Sequence, residues 1–302
     1  MKTSNKILLT AISVLGLSIL SILIFAKSSL VTIEQNSIKG SGKITKIDYP
    51  IEDISMLEVE EFFEVYVTIG EAKLEIETDE NIQALLRTSY DNYYASTGQD
   101  DYKRVLKVDK MNNTNLNPTQ AIKLFLAVPT LEGIDLGNHA TVVLEDEVIS
   151  EKFRIKLDEF ANASLKLQTK ELEVHVQKNA TLEILGDVGD TNIEAEEFSK
   201  INIETIDADK VSITTRNHSD LKLKGQTKSV EVNTEEFCKI DIAELQAVEA
   251  KIHTRNHSSA SLYVTGDLEV RADEFSTVNY RGNPTITGKY LHKSATLESI
   301  QE

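Results

Sequence analysis

Tryptophan is absent from the 302-residue chain, proline occurs four times and cysteine once. One cysteine, Cys238, excludes an internal disulfide framework and a cysteine-based zinc cluster. It stands where sister segments carry Ser199, Ser219 and Ser258, so it reads as a small packed residue. Basic side chains are scarce as well: 32 Lys and Arg stand against 49 Asp and Glu, a formal net charge of −17. That sign repels a phosphate backbone, so no nucleic-acid partner is expected. Also missing are the G-x-S-x-G elbow, the H-E-x-x-H helix, phosphate loops and the Gly-rich, Asp-containing nonapeptide of calcium β-rolls. No cofactor and no metal is expected.

Abundant Ile, Val and Thr favour strands. The one long apolar run, Ile7 to Ala26, has 20 residues and no charge. As a helix it would span ~30 Å, the thickness of a bilayer core. Lys2 and Lys6 precede it, which keeps the N-terminus cytoplasmic and exports everything after Lys27. Residues 1–29 therefore read as an N-terminal transmembrane helix. The alternative is a signal peptide cleaved at Ala26-Lys27-Ser28, leaving a secreted protein. Residues 30–50, with Gly40-Ser41-Gly42, read as a linker.

Beyond the linker the chain repeats. A corner residue recurs as His139, Phe160, Asn179, Phe198, His218, Phe237, His257 and Phe275, at intervals of 18 to 21 residues. Five residues before each corner stand Ile134, Ile155, Val174, Ile193, Ile213, Val232, Ile252 and Val270. Five after it stand Leu144, Leu165, Ile184, Ile203, Leu223, Ile242, Leu262 and Tyr280. Apolar residues at odd offsets have period two, the signature of strands with one buried face. A repeat of strand, corner, strand, corner predicts an all-β fold, a parallel β-solenoid with turns of ~19–20 residues.

The residues just before the corner decide between a solenoid and an antiparallel sandwich. In a solenoid, equivalent residues stack about 4.8 Å apart. Two like charges at that spacing repel by roughly 3–4 kcal/mol at an effective dielectric of 20. The pairs read Gly137-Asn138, Asp158-Glu159, Gln177-Lys178, Glu196-Glu197, Arg216-Asn217, Glu235-Glu236, Arg255-Asn256, Asp273-Glu274. Acidic pairs alternate with neutral or basic ones throughout. Asp158, Lys178, Glu196, Arg216, Glu235, Arg255 and Asp273 thus form a structural charge ladder, each cation lying between acidic rungs. An antiparallel sheet would not need this alternation.

The same frame appears earlier, in Glu60-Glu61-Phe62, and fits as an acidic rung beneath Gly137-Asn138-His139. Residues 70 to 132 form an irregular excursion in which "YKRVLKVDK" and "AIKLFLAV" read as strands joined by the polar loop "MNNTNLNPTQ". Residues 51–135 therefore comprise a first rung and an irregular β cap, 136–288 a regular solenoid and 289–302 a C-terminal tail.

"LEVEEFFEVYVTIG", "VLKV…IKLFLAVPTLEGIDL", the repeated short corners and the closing "VNYRGNP" resemble the auto-transporter adhesin, head GIN domain family, over roughly Ile54 to Gly288. The resemblance implies a β-solenoid exported to the bacterial envelope. Here that would mean a single-pass inner-membrane protein with its body in the periplasm. It implies no activity, ligand or site residue, and the Gly-Ser-rich corners of the family are replaced by Glu-Glu-Phe and Asn-His-Ser.

Chemistry is sparse. His139, His218 and His257 share one column, but the closest pair is two rungs, ~9.6 Å, apart, beyond the reach of one metal ion. Acidic pairs at that separation raise glycoside hydrolysis or lysis, the alternative function, with the acidic corner column as its machinery. A catalytic site, however, is a local exception to a repeat, and these pairs recur along the whole array. The expectation is a non-catalytic binding, adhesive or scaffolding protein whose corner column, Glu197, Asn217, Glu236 and Asn256, engages an extended polymer or envelope protein. Phe160, Phe198, Phe237 and Phe275 are expected to plug the corners and finish the core, an exposed strip being the other option. Tyr90, Tyr93, Tyr94 and Tyr102 beside Asp100 and Asp101 form a second candidate patch.

Overall fold

A computed structural model describes residues 37–94, 102–111 and 114–300. The Ile7–Ala26 segment lies outside them, and among the described residues no helix is long and apolar enough to cross a membrane. The architecture is all-β apart from one short helix, α1 (Glu80–Gln83).

The strands run β1 (Ile38–Lys39), β2 (Ile44–Tyr49), β3 (Met56–Val59), β4 (Phe63–Ile69), β5 (Lys73–Asp79), β6 (Leu86–Tyr94), β7 (Tyr102–Lys110), β8 (Leu116–Asn117) and β9 (Ile122–Val128). The repeat array follows: β10 (Gly133–Leu136), β11 (Thr141–Leu144), β12 (Val148–Leu157), β13 (Asn162–Val176), β14 (Thr181–Ala195), β15 (Lys200–Thr215), β16 (Asp220–Glu235) and β17 (Lys239–Arg255). It closes with β18 (Ser259–Val264), β19 (Asp267–Ala272), β20 (Thr277–Arg281), β21 (Thr285–Leu291) and β22 (Thr296–Ser299).

Every pairing in the array is parallel, and the register is the one the apolar offsets predict. Ile134 pairs with Ile155, Ile155 with Val174, Val174 with Ile193, and so on through Ile213, Val232, Ile252 and Val270. All eight are buried. Burying a branched aliphatic side chain is worth about 1.5–3 kcal/mol, so these stacked columns form the core. The second bend of each turn is tight. Gly225 has φ +125°, and a Cβ there would lie 2.1 Å from the Ile206 carbonyl oxygen.

The solenoid is longer than the repeat spacing indicates. β3 and β4 lie directly beneath β10 and β11, as expected. Beneath them lies a further turn made by β7 and β9, also parallel, with Leu57 on Leu106 and Phe63 on Ile122. Residues 70 to 132 are therefore only partly a cap. The cap proper is antiparallel: β6 pairs with β7, β5 with β9 and β2 with β5.

Two boundaries also move. The expected linker contains β1 and β2. It is fastened by the buried Asp79 carboxylate, which accepts hydrogen bonds from the Gly42 and Thr119 amides at 2.7 and 2.8 Å. At the other end β21 and β22 continue the ladder through Ser299, where a tail was expected from residue 289.

Candidate functional site: the corner column

From Asn138-His139 to Glu274-Phe275 each corner is built from two consecutive residues with left-handed backbone, whereas the Phe62 corner has one, Glu61. Glu197 and Phe198 have φ of 53° and 63°, Asn217 and His218 54° and 66°, Glu236 and Phe237 64° and 61°, Asn256 and His257 52° and 62°. Where the closing bond forms, as from the Ala161 amide to the Asp158 carbonyl (3.0 Å), the geometry is that of a type I′ turn. The ladder also runs through the corner: the Phe198 amide donates to Asn217 O, His218 to Glu236 O and Phe237 to Asn256 O, each at 2.9 Å. The residue after each corner turns back into the core and is small, from Ala140, Ala161 and Ala180 through Ser199, Ser219, Cys238, Ser258 and Ser276. Their polar groups are satisfied locally: Ser219 Oγ donates to Arg216 O at 2.8 Å, and Cys238 Sγ to Glu235 O at 3.1 Å. Cys238 is thus the small packed residue expected of it.

The corner rings do not plug the core. Phe160, Phe198, Phe237 and Phe275 are 50 to 59% exposed, and Phe62 is 67% exposed. They stack on the histidines instead. Phe62, His139 and Phe160 form one run with centroids 4.9 and 4.8 Å apart. Phe198, His218, Phe237, His257 and Phe275 form a second, at 4.8 to 5.2 Å with planes within 19° of parallel. Asn179, at a histidine position in the alternation, separates the two runs. A coin-like stack covers ring faces and leaves rims outward, so the column presents a ridge in which apolar phenyl edges alternate with polar imidazole edges.

Beside that ridge runs the line of residues one position earlier. Glu197 and Glu236 are exposed, and Asn217 and Asn256 are half-buried between them. The four residues named from the sequence therefore lie in one row, carboxylate and amide alternating. The charge ladder is real but pairwise. Arg216 Nη1 donates to Glu196 at 2.9 Å, and Arg255 Nη2 to Glu235 at 2.8 Å. Lys178 lies 3.2 Å from Asp158 and 3.3 Å from Glu159. Hydrogen bonds to Asp158 and then Glu159 raise the Lys178 pKa. Each of these cations reaches the acidic turn before it in the chain, not both neighbours. Asp273 continues the row above Arg255, while Lys293 pairs with Glu274.

The histidine column has a phenylalanine between successive members, and no cluster of His, Cys, Asp and Glu suited to a metal ion exists among the described residues. The four tyrosines of the second candidate patch lie on the β6–β7 hairpin. Tyr90 is engaged structurally, its hydroxyl accepting the Glu52 amide at 2.7 Å. Tyr94 pairs with Tyr102 in the β6–β7 ladder, and Tyr93 with Lys103. Asp100 and Asp101 lie outside the described residues.

At its lower end the column meets a cleft of 510 Å³ lined by Phe62, Phe63, Leu116, Pro118 and Ile122, with the Glu61–Lys110 ion pair (3.0 Å) on its wall. Sequence reasoning missed it, because its walls come from the extra turn and from β8.

The sequence profile of the family "Putative auto-transporter adhesin, head GIN domain" matches residues 53–214 and 190–284, and the chain belongs to that family. Comparison with curated proteins finds no match. Among solved structures the chain is similar to a "putative adhesin" from Parabacteroides merdae, with TM-score 0.62 and 17% identity over 88% of this chain and all of that one. It is also similar to a "putative lipid binding protein" from Parabacteroides distasonis, with TM-score 0.60 and 15% identity over 88% of this chain and all of that one. At these identities the likeness is one of fold.

Proposed function

We propose that this member of the head GIN domain family is a non-catalytic binding, adhesive or scaffolding module of the bacterial cell envelope, with the corner column as its contact surface. The observation that carries this reading is the strained, exposed corner. A non-glycine residue in left-handed backbone costs roughly 1–2 kcal/mol, yet each corner of the array spends two such positions on outward side chains. Strain repeated at surface positions points to use of the outward side chains. The names of the structural relatives and of the family favour the same class. Export by the Ile7–Ala26 segment, as a single-pass anchor or a cleaved signal, belongs to this proposal.

An extended polymer or partner segment lying along the solenoid axis would meet the same edge-and-carboxylate pattern every two turns, about 9.6 Å. The test is retention of the chain on envelope and plant polysaccharides and on envelope protein extracts, with cleavage assayed in parallel. Retention weakened by Phe237→Ser and by Glu236→Gln, without turnover, is expected. Turnover of a glycan abolished by Glu197→Gln or Glu236→Gln alone would overturn this reading in favour of a polysaccharide-active enzyme.

A further inference from the structure

The cleft at the foot of the column sits where the repeat fails to supply a ring. In the turn formed by β7 and β9, Val108 lies under Val59 and Ile122 under Phe63. The corner between them should place a side chain beneath Phe62. Instead the described residues 114–121 lie outside that ladder, and Leu116 on β8 pairs with Ile38 beside the cleft. Phe62 is covered on one face by His139 at 4.9 Å, and among the described residues no ring stacks on the other. It is the most exposed phenylalanine of the column, at 67%. It borders the 510 Å³ cleft, whose lining combines the apolar Phe63, Leu116, Pro118 and Ile122 with polar residues that include Glu61, Asn115 and Asn117.

We propose that this cleft binds an aromatic ring, which stacks beneath Phe62 as a further rung of the column. The proposal rests on the reading of the column as a contact surface and assigns its lower end a ligand class. Three features select an aromatic ring. The stack already repeats at 4.8 to 5.2 Å, so a planar guest continues a geometry the protein holds six times. A saccharide ring has no π face to set against Phe62 and would bring several hydroxyls against the apolar Leu116, Pro118 and Ile122, where a phenol or indole brings a single polar edge. An acyl chain would fill the space but gain nothing from the ring quadrupole of Phe62. A phenol or indole also has a polar edge to use, and Glu61, Asn115 and Asn117 line the same cleft. The volume lies within the usual range of small-ligand pockets, about 300–1,000 Å³.

The chain has no tryptophan, so indole fluorescence reports a bound probe without background. N-acetyltryptophanamide titrated against the full chain should bind saturably. Phe62→Ala and Leu116→Asp should each weaken it roughly five- to tenfold, the value of one stacking contact. Lys228→Gln, at an exposed side chain of the array outside the column, should leave it unchanged. A short Gly-Ser peptide carrying one tryptophan separates the two sources of such a ring. Tighter binding of the peptide than of the free amide assigns the cleft to a partner's side chain, and equal binding to a small aromatic ligand. The absence of saturable binding by either probe overturns the proposal, as does binding indifferent to both cleft substitutions or displacement by methyl glycosides or fatty acids. Those outcomes leave polymer retention through Phe237 and Glu236 standing, so the two readings fail separately.

Discussion

The imidazole of His218 stacks on the ring of Phe237 with centroids 5.1 Å apart and planes 13° from parallel. Phe198 covers its other face at 4.8 Å. Parallel aromatic rings attract when offset and not stacked squarely face to face, so a column whose spacing is dictated by the backbone ladder gives this imidazole a favourable contact on both faces. His218→Ser should cost ~1–3 kcal/mol in urea unfolding, since it removes two contacts of about 0.5–1.5 kcal/mol each. A double-mutant cycle with Phe237→Ser isolates the pair, and a coupling energy of zero would show that the rings touch without stabilising the fold.

Asn179 breaks the stack at the position where the alternation calls for histidine. Both residues tolerate left-handed backbone better than most. Asn179→His should join the two runs and raise stability by ~0.5–1.5 kcal/mol. A thermal midpoint at or below that of the parent protein would contradict this.

Arg216 bonds Glu196 and not Glu235, so the ladder is a row of pairs. Arg216→Gln removes one exposed pair and should cost under ~1 kcal/mol. Arg216→Glu also sets a carboxylate one ladder step from the acidic corners on either side and should cost ~1–3 kcal/mol. The difference between the two should shrink in 1 M salt, where exposed charges are screened. Equal losses from both variants at low salt would dismiss any electrostatic role for the alternation.

The core and its register were legible because period two leaves an unambiguous record at Ile134, Ile155, Val174 and their successors. The same parity puts the corner residue outside. The expectation that Phe160 and Phe198 would plug the core rested on their apolarity alone, and geometry overrules it. The corner is closed from within by Ala161 or Ser199, which leaves no room for a ring. The turn made by β7 and β9 was hidden for a different reason. It follows β3 and β4 in sequence but lies beneath them in space, and a long stretch of sequence separates β7 from β9 where other turns have a short corner, so no fixed interval betrays it. The cleft depends on that turn and was equally out of reach. Direction of pairing was invisible as well: the alternation of Arg216 with acidic rungs is the same whether it bonds one neighbour or both.

Acid should loosen the cap before the array. Hydrogen bonds from Lys46 and then Lys73 lower the Glu75 carboxyl from its ordinary 4.5 to about 2. The folded pKa is depressed, so the stabilisation is complete above pH 4.5 and is lost as pH falls through about 2. Amide exchange in β2 and β5 should quicken over that window while β13 to β16 remain protected. Glu75→Gln should remove the pH dependence of β2 and β5, and its persistence in that variant would assign the effect to other carboxylates.

Left-handed backbone occurs at two kinds of bend, and substitution should affect them in opposite ways. At Gly225 the absence of a side chain is obligatory, because a Cβ would lie 2.1 Å from the Ile206 carbonyl oxygen. Gly225→Ala should therefore cost well over ~2 kcal/mol, through clash with a backbone atom that the ladder holds in place. At Glu236, φ is 64° and the side chain is exposed. Glycine there would relieve roughly 1–2 kcal/mol of left-handed strain and give back about 0.5–1 kcal/mol as unfolded-chain entropy. Glu236→Gly should thus leave the protein as stable as before or more stable by up to ~1 kcal/mol. If the corner column is the contact surface, the same variant should be retained less well on the native partner. A Glu236→Gly protein that is less stable than the parent would mean that the corner carboxylates serve the fold, and the case for a surface shaped by binding would lose its main support.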